Sequence, residues 1–191
     1  MPYYPHPEIR VRRVTAGDPG KASDGGAPLI VTATFGPDDH AFLDGLRRRH
    51  FPPERNRLAA HLTLFHHLSP DVGAELKRRL SGLTRGRPAP QAWLGGVMSL
   101  GRGVALRVES PELESFRAEL ADAFSTLLTP QDRAGWRPHV TIQNKVEAAV
   151  ARALFEELDA DFRRRPLAIA GLASWWYRGG PWEAHSAHKF A

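Results

Sequence analysis

Two short strings in this chain repeat a pattern of residue types that can move protons: His61-Leu62-Thr63-Leu64 and His139-Val140-Thr141-Ile142. In a chain that is 42% hydrophobic, two His-apolar-Thr strings arise by chance with a probability of about one per cent, and the apolar fourth residue in both lowers it further. In an extended strand, side chains two positions apart share a face and stand ~7 Å from one another. Leu62, Leu64, Val140 and Ile142 then enter a core, and His61 with Thr63 and His139 with Thr141 occupy the opposite face. An imidazole with an unperturbed pKa of ~6.5 lets one copy accept a proton while another donates one near neutrality. Threonine hydroxyls donate to non-bridging phosphate oxygens. Brought face to face, the four side chains suit in-line displacement at a phosphodiester without a metal.

The elements that must position them read in a repeating order. Leu29 to Phe35 is rich in β-branched residues and stops at Gly36-Pro37, the mark of a strand. Pro37 opens a helix with Phe42, Leu43 and Leu46 on one stripe and Arg47, Arg48 and Arg49 in its last turn, where cations suit the dipole. A strand from about Ala60 to His66 carries the first tetrad. Ser69-Pro70 starts a helix with Val72, Leu76, Leu80 and Leu83 on its apolar face. Gln91 to Leu100 reads as a third strand, irregular at Gly95 and Gly96, and Gly101-Arg102-Gly103 as a loop between halves. The order then recurs: a strand from Val104 to Val108, a helix capped by Ser110 with Leu113, Phe116, Leu120, Phe124 and Leu127, and a strand from His139 to Gln143. After these come a helix with Val150, Leu154, Leu158 and Phe162, and strand-like runs at Leu167–Tyr177 and Trp182–Phe190 joined by Gly179-Gly180-Pro181. The expected architecture is a duplicated β-α-β-α-β chain with pseudo-repeats over about 29–100 and 103–190. Two such lobes would share a sheet-lined groove, and any parallel crossover in them would be right-handed.

These paired tetrads, one per half of a duplicated chain, resemble the two-histidine (2H) phosphoesterase superfamily, in particular its 2′-5′ RNA ligase-like branch, over about residues 29–190. The resemblance implies an α/β (α+β) fold in which two sheets form a central groove, a single bilobal domain spanning 29–191. It implies a metal-independent phosphodiesterase acting on a 2′,3′-cyclic phosphate or a 2′-5′ linkage of RNA or nucleotides. His61 and His139 would serve as general acid and base, and Thr63 and Thr141 as phosphate contacts. The expected partner is an RNA end or nucleotide with such a group, and the expected protein is a cytoplasmic monomer that needs no cofactor, no metal and no membrane. The alternative on the same fold is a catalytically inactive RNA- or nucleotide-binding module. One departure stands out. Family members often carry an arginine a few residues beyond the second tetrad, where this chain has Gln143-Asn144-Lys145. Lys145 can supply a charge there but no bidentate fork.

Further substrate-binding candidates come from strand parity. Phe65 and His67 share the face of His61 and Thr63 and would rim the groove, and Gln143 lies on the face of Thr141. His66 and His67 beside His61 suggest a metal cluster, but adjacent histidines rarely both ligate and no carboxylate lies at ligand spacing. In Trp175-Trp176-Tyr177, alternation sends Trp175 and Tyr177 to one face, where a base could stack, and Trp176 to the other. His185 and His188 have opposite parity and read as structural.

Composition sets the outer bounds. The absence of cysteine excludes disulfides, thiolate zinc sites, iron–sulfur clusters and cysteine nucleophiles. No apolar run approaches the ~18 residues that span a bilayer. The first residues, Met1 to Pro7, lack the charged-then-apolar order of a secretory signal. The net charge of +5 comes from 26 Lys and Arg against 21 Asp and Glu, and arginine supplies most of the cations, which favours an anionic partner slightly. Residues 1–28, with many prolines and glycines and few aliphatics, read as a flexible N-terminal arm.

Overall fold

The computed structural model describes residues 26–191. All but the last three residues of the expected N-terminal arm lie outside them.

The chain opens with β1 (Leu29–Phe35), followed by α1 (Pro37–His50), which has a proline in its first turn and cations in its last. β2 (Leu62–Leu68) leads through a short 3-10 turn into α2 (Gly73–Thr84). At that turn the Ser69 hydroxyl accepts the Asp71 N–H at 3.3 Å. β3 (Trp93–Ser99) and β4 (Gly103–Glu109) form a hairpin, and α3 (Pro111–Ala123) follows, capped by Ser110. A one-turn helix, α4 (Pro130–Arg133), precedes β5 (His139–Asn144). The chain ends with α5 (Ala148–Ala160), β6 (Arg165–Pro166), β7 (Ile169–Trp176) and β8 (Glu183–Lys189).

Two four-stranded sheets result, ordered β2-β1-β7-β8 and β5-β4-β3-β6. Every strand pairing among the described residues is antiparallel, so the expectation for parallel crossovers has nothing to act on. The sheets also do not coincide with the sequence halves. β3, from the first half, pairs with β4, and β7, from the second half, pairs with β1. The reason is the connection. Only Leu100, Gly101 and Arg102 separate β3 from β4, with Gly101 at φ +77°, and so short a turn permits an antiparallel hairpin but no crossover. Each β-α-β-α-β unit therefore lends its third strand to the other sheet. Gly95 supplies the irregularity expected in β3, as the extra residue in a bulge between the Leu94–Val108 and Gly96–Arg107 pairs.

Apolar faces of both sheets meet the helices in one core, which runs from Leu29, Val31 and Leu43 through Leu76 and Leu94 to Leu113, Leu120, Val140 and Ile142. Three expected stripe residues lie outside it, among them Leu127, which is exposed beyond the end of α3. Phe42 is exposed and carries the Arg165 guanidinium 4.6 Å over its ring. Val150 is exposed while Ala151 takes its place in the core.

The outer edge of β2 is closed by α4. Asp132 is almost fully buried, and its two oxygens accept the His66 and His67 backbone N–H groups, each at 2.8 Å. Nδ1 of His66 stands 3.1 Å from the same carboxylate. Arg117 on α3 donates to the Leu64 carbonyl at 3.0 Å and to the Asp132 carbonyl at 2.6 Å. Burial alone would raise the Asp132 pKa. The hydrogen bonds from the His66 side chain and from the His66 and His67 N–H groups outweigh it and hold the value below the usual carboxylate range. Asp132→Ala strands two backbone donors on β2, and should cost ~2–4 kcal/mol of unfolding free energy at pH 7. Because the folded value is depressed, the ionised carboxylate stabilises the fold above the unfolded pKa of ~3.9, and that contribution disappears as pH falls through the folded value. Denaturant titration of wild type and Asp132→Asn should accordingly show a stability gap at pH 7 that closes in strong acid.

Candidate active site

Both tetrad histidines are presented by the same local device. His61 sits one residue before β2, and its Nδ1 lies 2.8 Å from the Ala59 carbonyl. His139 begins β5, and its Nδ1 lies 2.7 Å from the Arg137 carbonyl. A carbonyl only accepts, so Nδ1 carries the hydrogen in each ring and Nε2 holds the lone pair when the ring is neutral. Among the described residues neither Nε2 has a protein partner. An imidazole fixed in this tautomer is ready to take or give a proton at Nε2.

The strands around them carry matched irregularities. On the first sheet Thr63 pairs with Thr32, but the next pair is Phe65 with Val31, so β2 advances two residues while β1 advances one. On the second, Thr141 pairs with Ala105 and Gln143 with Val104, the same slip. A bulge of this kind rotates the side chains beyond it. The parity that holds for His-x-Thr fails two residues later, and two site expectations are corrected by it. Phe65 is fully buried in the core, with the Arg117 guanidinium 4.9 Å over its ring. Gln143 is also buried, its Nε2 donating to the His50 carbonyl at 3.2 Å. Neither lines a groove. The four tetrad side chains themselves remain half-exposed, and Leu62, Leu64, Val140 and Ile142 are buried as the pattern requires.

Cross-sheet bonds bring the two tetrads together. Arg47 of α1 is 4% exposed. Its guanidinium donates to the Thr141 carbonyl at 2.7 Å and, toward the loop that leads to His61, to Asn56 Oδ1 at 2.8 Å and the Leu58 carbonyl at 3.2 Å. In the reverse direction Trp136, three residues before His139, donates its Nε1–H to the Thr63 carbonyl at 2.9 Å. Cα atoms of β2 and β5 come within 8 Å of each other. His61 responds to this setting. Burial lowers its pKa most, the bond to Ala59 raises it, and the nearby charges of Arg47, His139 and His66 lower it further, to about 4. It is therefore a neutral imidazole at pH 7.

Around the pair, Trp175 falls on the face of Thr32, to whose hydroxyl it donates at 2.9 Å, while Trp176 turns to the other face and meets His185 at 4.8 Å. The expected alternation of the aromatic run is thus present, and Tyr177 follows as an exposed residue. Lys145 lies in an exposed turn at φ +63°, just beyond the end of β5. His66 and His67 are both exposed at the Asp132 anchor. A carboxylate does approach His66, from a segment far away in sequence, but both its oxygens are engaged by backbone N–H groups. His185 and His188 join Ser174 and Ser186 in a hydrogen-bonded chain beside α2. A cavity of about 610 Å³ between Gly36–Asp39, Ala89–Trp93 and Arg165–Ala168 contains none of the tetrad residues.

Besides Trp136, three residues near the site escaped the sequence reading. Arg47 looked like a dipole-complementing surface cation. Arg107 pairs directly with His139 across β4 and β5, with its guanidinium over the glycines of β3, 3.2 Å from the Gly95 carbonyl. Only the parity of β4 against His139 could have pointed to it. Trp182, just before β8, packs its ring 4.7 Å from that of His61, a contact set by the β7–β8 turn that no local pattern encodes.

The fold has close counterparts of known structure. E. coli LigT complexed with 3′-AMP superposes at a TM-score of 0.56 with 16% identity, covering 87% of this chain and 99% of that one. LigT complexed with ATP gives 0.54 and 17%, covering 88% and 99%. TT0787 of Thermus thermophilus gives 0.57 and 15%, covering 85% and 97%. No curated protein matches by sequence. The sequence model of the 2′-5′ RNA ligase superfamily matches residues 35–181, which include both tetrads and the elements that carry them. This chain belongs to the 2′-5′ RNA ligase superfamily.

Proposed function

We propose that the protein is a metal-independent phosphodiesterase that opens a 2′,3′-cyclic phosphate, or cleaves a 2′-5′ linkage, at an RNA end or on a nucleotide. The observation that carries the reading is the matched presentation of His61 and His139, each anchored through Nδ1 to the carbonyl two residues back with Nε2 free. In-line attack at phosphorus needs one group to take a proton from the attacking oxygen and another to protonate the departing one. Two imidazoles anchored through Nδ1 fill those roles, one neutral and accepting at Nε2, the other protonated and donating from Nε2. The Thr63 and Thr141 hydroxyls, on the same strand faces, donate to the non-bridging oxygens. Arg107 supplies positive charge one strand away, in place of a fork beyond the second tetrad. The nucleotides bound by LigT fit a substrate of this class.

Hydrolysis of a 2′,3′-cyclic nucleotide, followed with EDTA present, tests the reading. Wild-type turnover should survive the chelator, and His61→Ala or His139→Ala should each lower the rate ~10²–10⁴-fold. Turnover abolished by EDTA, or unchanged in either histidine variant, would overturn it.

The supporting groups should rank below the histidines. Thr63→Val or Thr141→Val removes one charge-assisted hydrogen bond, ~1.5–3 kcal/mol of transition-state binding. Arg107→Ala should raise KM more than it lowers kcat. His67→Ala, at the outer anchor of β2, should leave kcat/KM within about tenfold. A loss at His67 as large as that at His61 would shift the chemistry away from the paired tetrads.

A further inference from the structure

The two histidines share a backbone device but not their surroundings. Trp182 stands over His61, ring centroids 4.7 Å apart and planes tilted by 56°. It follows the Arg178–Pro181 turn, in which Gly179 adopts φ +82°. It is backed by Trp175 at 6.4 Å, itself tied through Nε1 to the Thr32 hydroxyl at 2.9 Å. The tryptophan that covers His61 is thus braced against β1. Among the described residues no aromatic ring stands against His139.

We propose that Trp182 is a positioning residue that makes the two histidines chemically unequal, holding His61 as the base that activates the attacking water and leaving His139 as the acid that protonates the departing ribose oxygen. The assignment rests on the phosphodiesterase reading and adds a direction to it. In the step, a water proton passes to Nε2 of His61 as the water oxygen bonds to phosphorus. The bond from phosphorus to the ribose oxygen breaks, and that oxygen takes the proton from Nε2 of His139.

Three considerations support the assignment. An indole laid on one side of an imidazole excludes water and disfavours the imidazolium. Burial of His61 and the charges of Arg47 from α1, His139 from β5 and His66 from β2 act in the same direction, and they outweigh the Ala59 bond and hold its value at about 4. The carboxylate bonded to the same segment, Asp44 of α1, is engaged by the Ala60 N–H at 2.9 Å and by Arg48 at 2.9 Å. Second, with a value of about 4, His61 would carry the proton that a donor needs in only about one molecule per thousand at pH 7, whereas as an acceptor it is ready. Third, a bound phosphodiester anion raises the basicity of an adjacent imidazole, so a weak base in the empty site strengthens as substrate arrives.

Titration of the His61 ring by NMR in wild type, Trp182→Phe and Trp182→Ala reads the contact without needing turnover. The wild-type ring should titrate near pH 4. Trp182→Ala should move it up by about one unit or more toward the unperturbed ~6.5, and Trp182→Phe should move it less. On a 2′,3′-cyclic nucleotide, the acid limb of kcat/KM should move up by the same amount in Trp182→Ala, while the alkaline limb stays in place. A His61 titration that is unmoved or lowered in Trp182→Ala would overturn the covering role. Movement of the alkaline limb instead would reverse the acid and base. Absence of turnover in wild type would overturn the phosphodiesterase reading and the base role with it, while the NMR titration would still decide whether Trp182 governs His61.

Discussion

One buried guanidinium ties the two halves of the site together. Arg47 projects from α1 of the first lobe, yet one terminal nitrogen of its guanidinium bonds the carbonyl of Thr141 on the other sheet, and the other holds Asn56 and Leu58 ahead of His61. Removing an arginine from water is costly, and burial lowers its pKa, only partly offset by Asp44. That cost is offset because the hydrogen bonds are charge-assisted and serve three carbonyl oxygens on two segments, one in the loop before His61 and one on β5. The Trp136 bond to the Thr63 carbonyl answers it from the second lobe. Each threonine of the tetrads is therefore fixed through its backbone by a side chain from the other half, and the spacing between the tetrads is set by hydrogen bonds that connect the lobes.

The remainder of the fold depends on two further constraints. A three-residue turn between β3 and β4 forces them to pair, so each unit completes the other's sheet and the lobes cannot separate without breaking strand ladders. The matched bulges after Thr63 and Thr141 then end the functional face of each strand at the threonine and turn the next side chain inward. The same slip in both halves keeps the tetrads equivalent, although the residue turned inward differs, a phenylalanine in one and a glutamine in the other. Difference between the halves enters through the aromatic turn at Trp182, and it falls on His61 alone.

The elements carried by periodicity and by turn chemistry were legible in the sequence. The proline-led starts of α1 and α3, the leucine stripe of α2, the glycine irregularity of β3 and the two tetrads all stand where residue type and spacing place them. Local alternation could not reveal the bulges, so Phe65 and Gln143 were put on the wrong face. Nor could it reveal long-range pairing. Arg47 reaches a strand 94 positions away, and Asp132 meets His66 and His67 across 66 and 65 positions. The Arg47-Arg48-Arg49 run satisfied a local rule, helix-dipole complementation, while its first member served a tertiary bond that the rule does not contain. The strand exchange was hidden for the same reason. A repeat seen in sequence shows that two units are alike, and it does not say which sheet receives each third strand.

The central claim is that both tetrads act on one phosphorus. A crystal structure of the protein with a nucleoside 2′- or 3′-monophosphate, the product of opening a cyclic phosphate, tests this most directly. The phosphate should lie between the two imidazoles, its oxygens within hydrogen-bonding distance of Nε2 of His61, Nε2 of His139 and the Thr63 and Thr141 hydroxyls. A phosphate bound to one tetrad alone, or held elsewhere on the surface with both Nε2 atoms untouched, would contradict it.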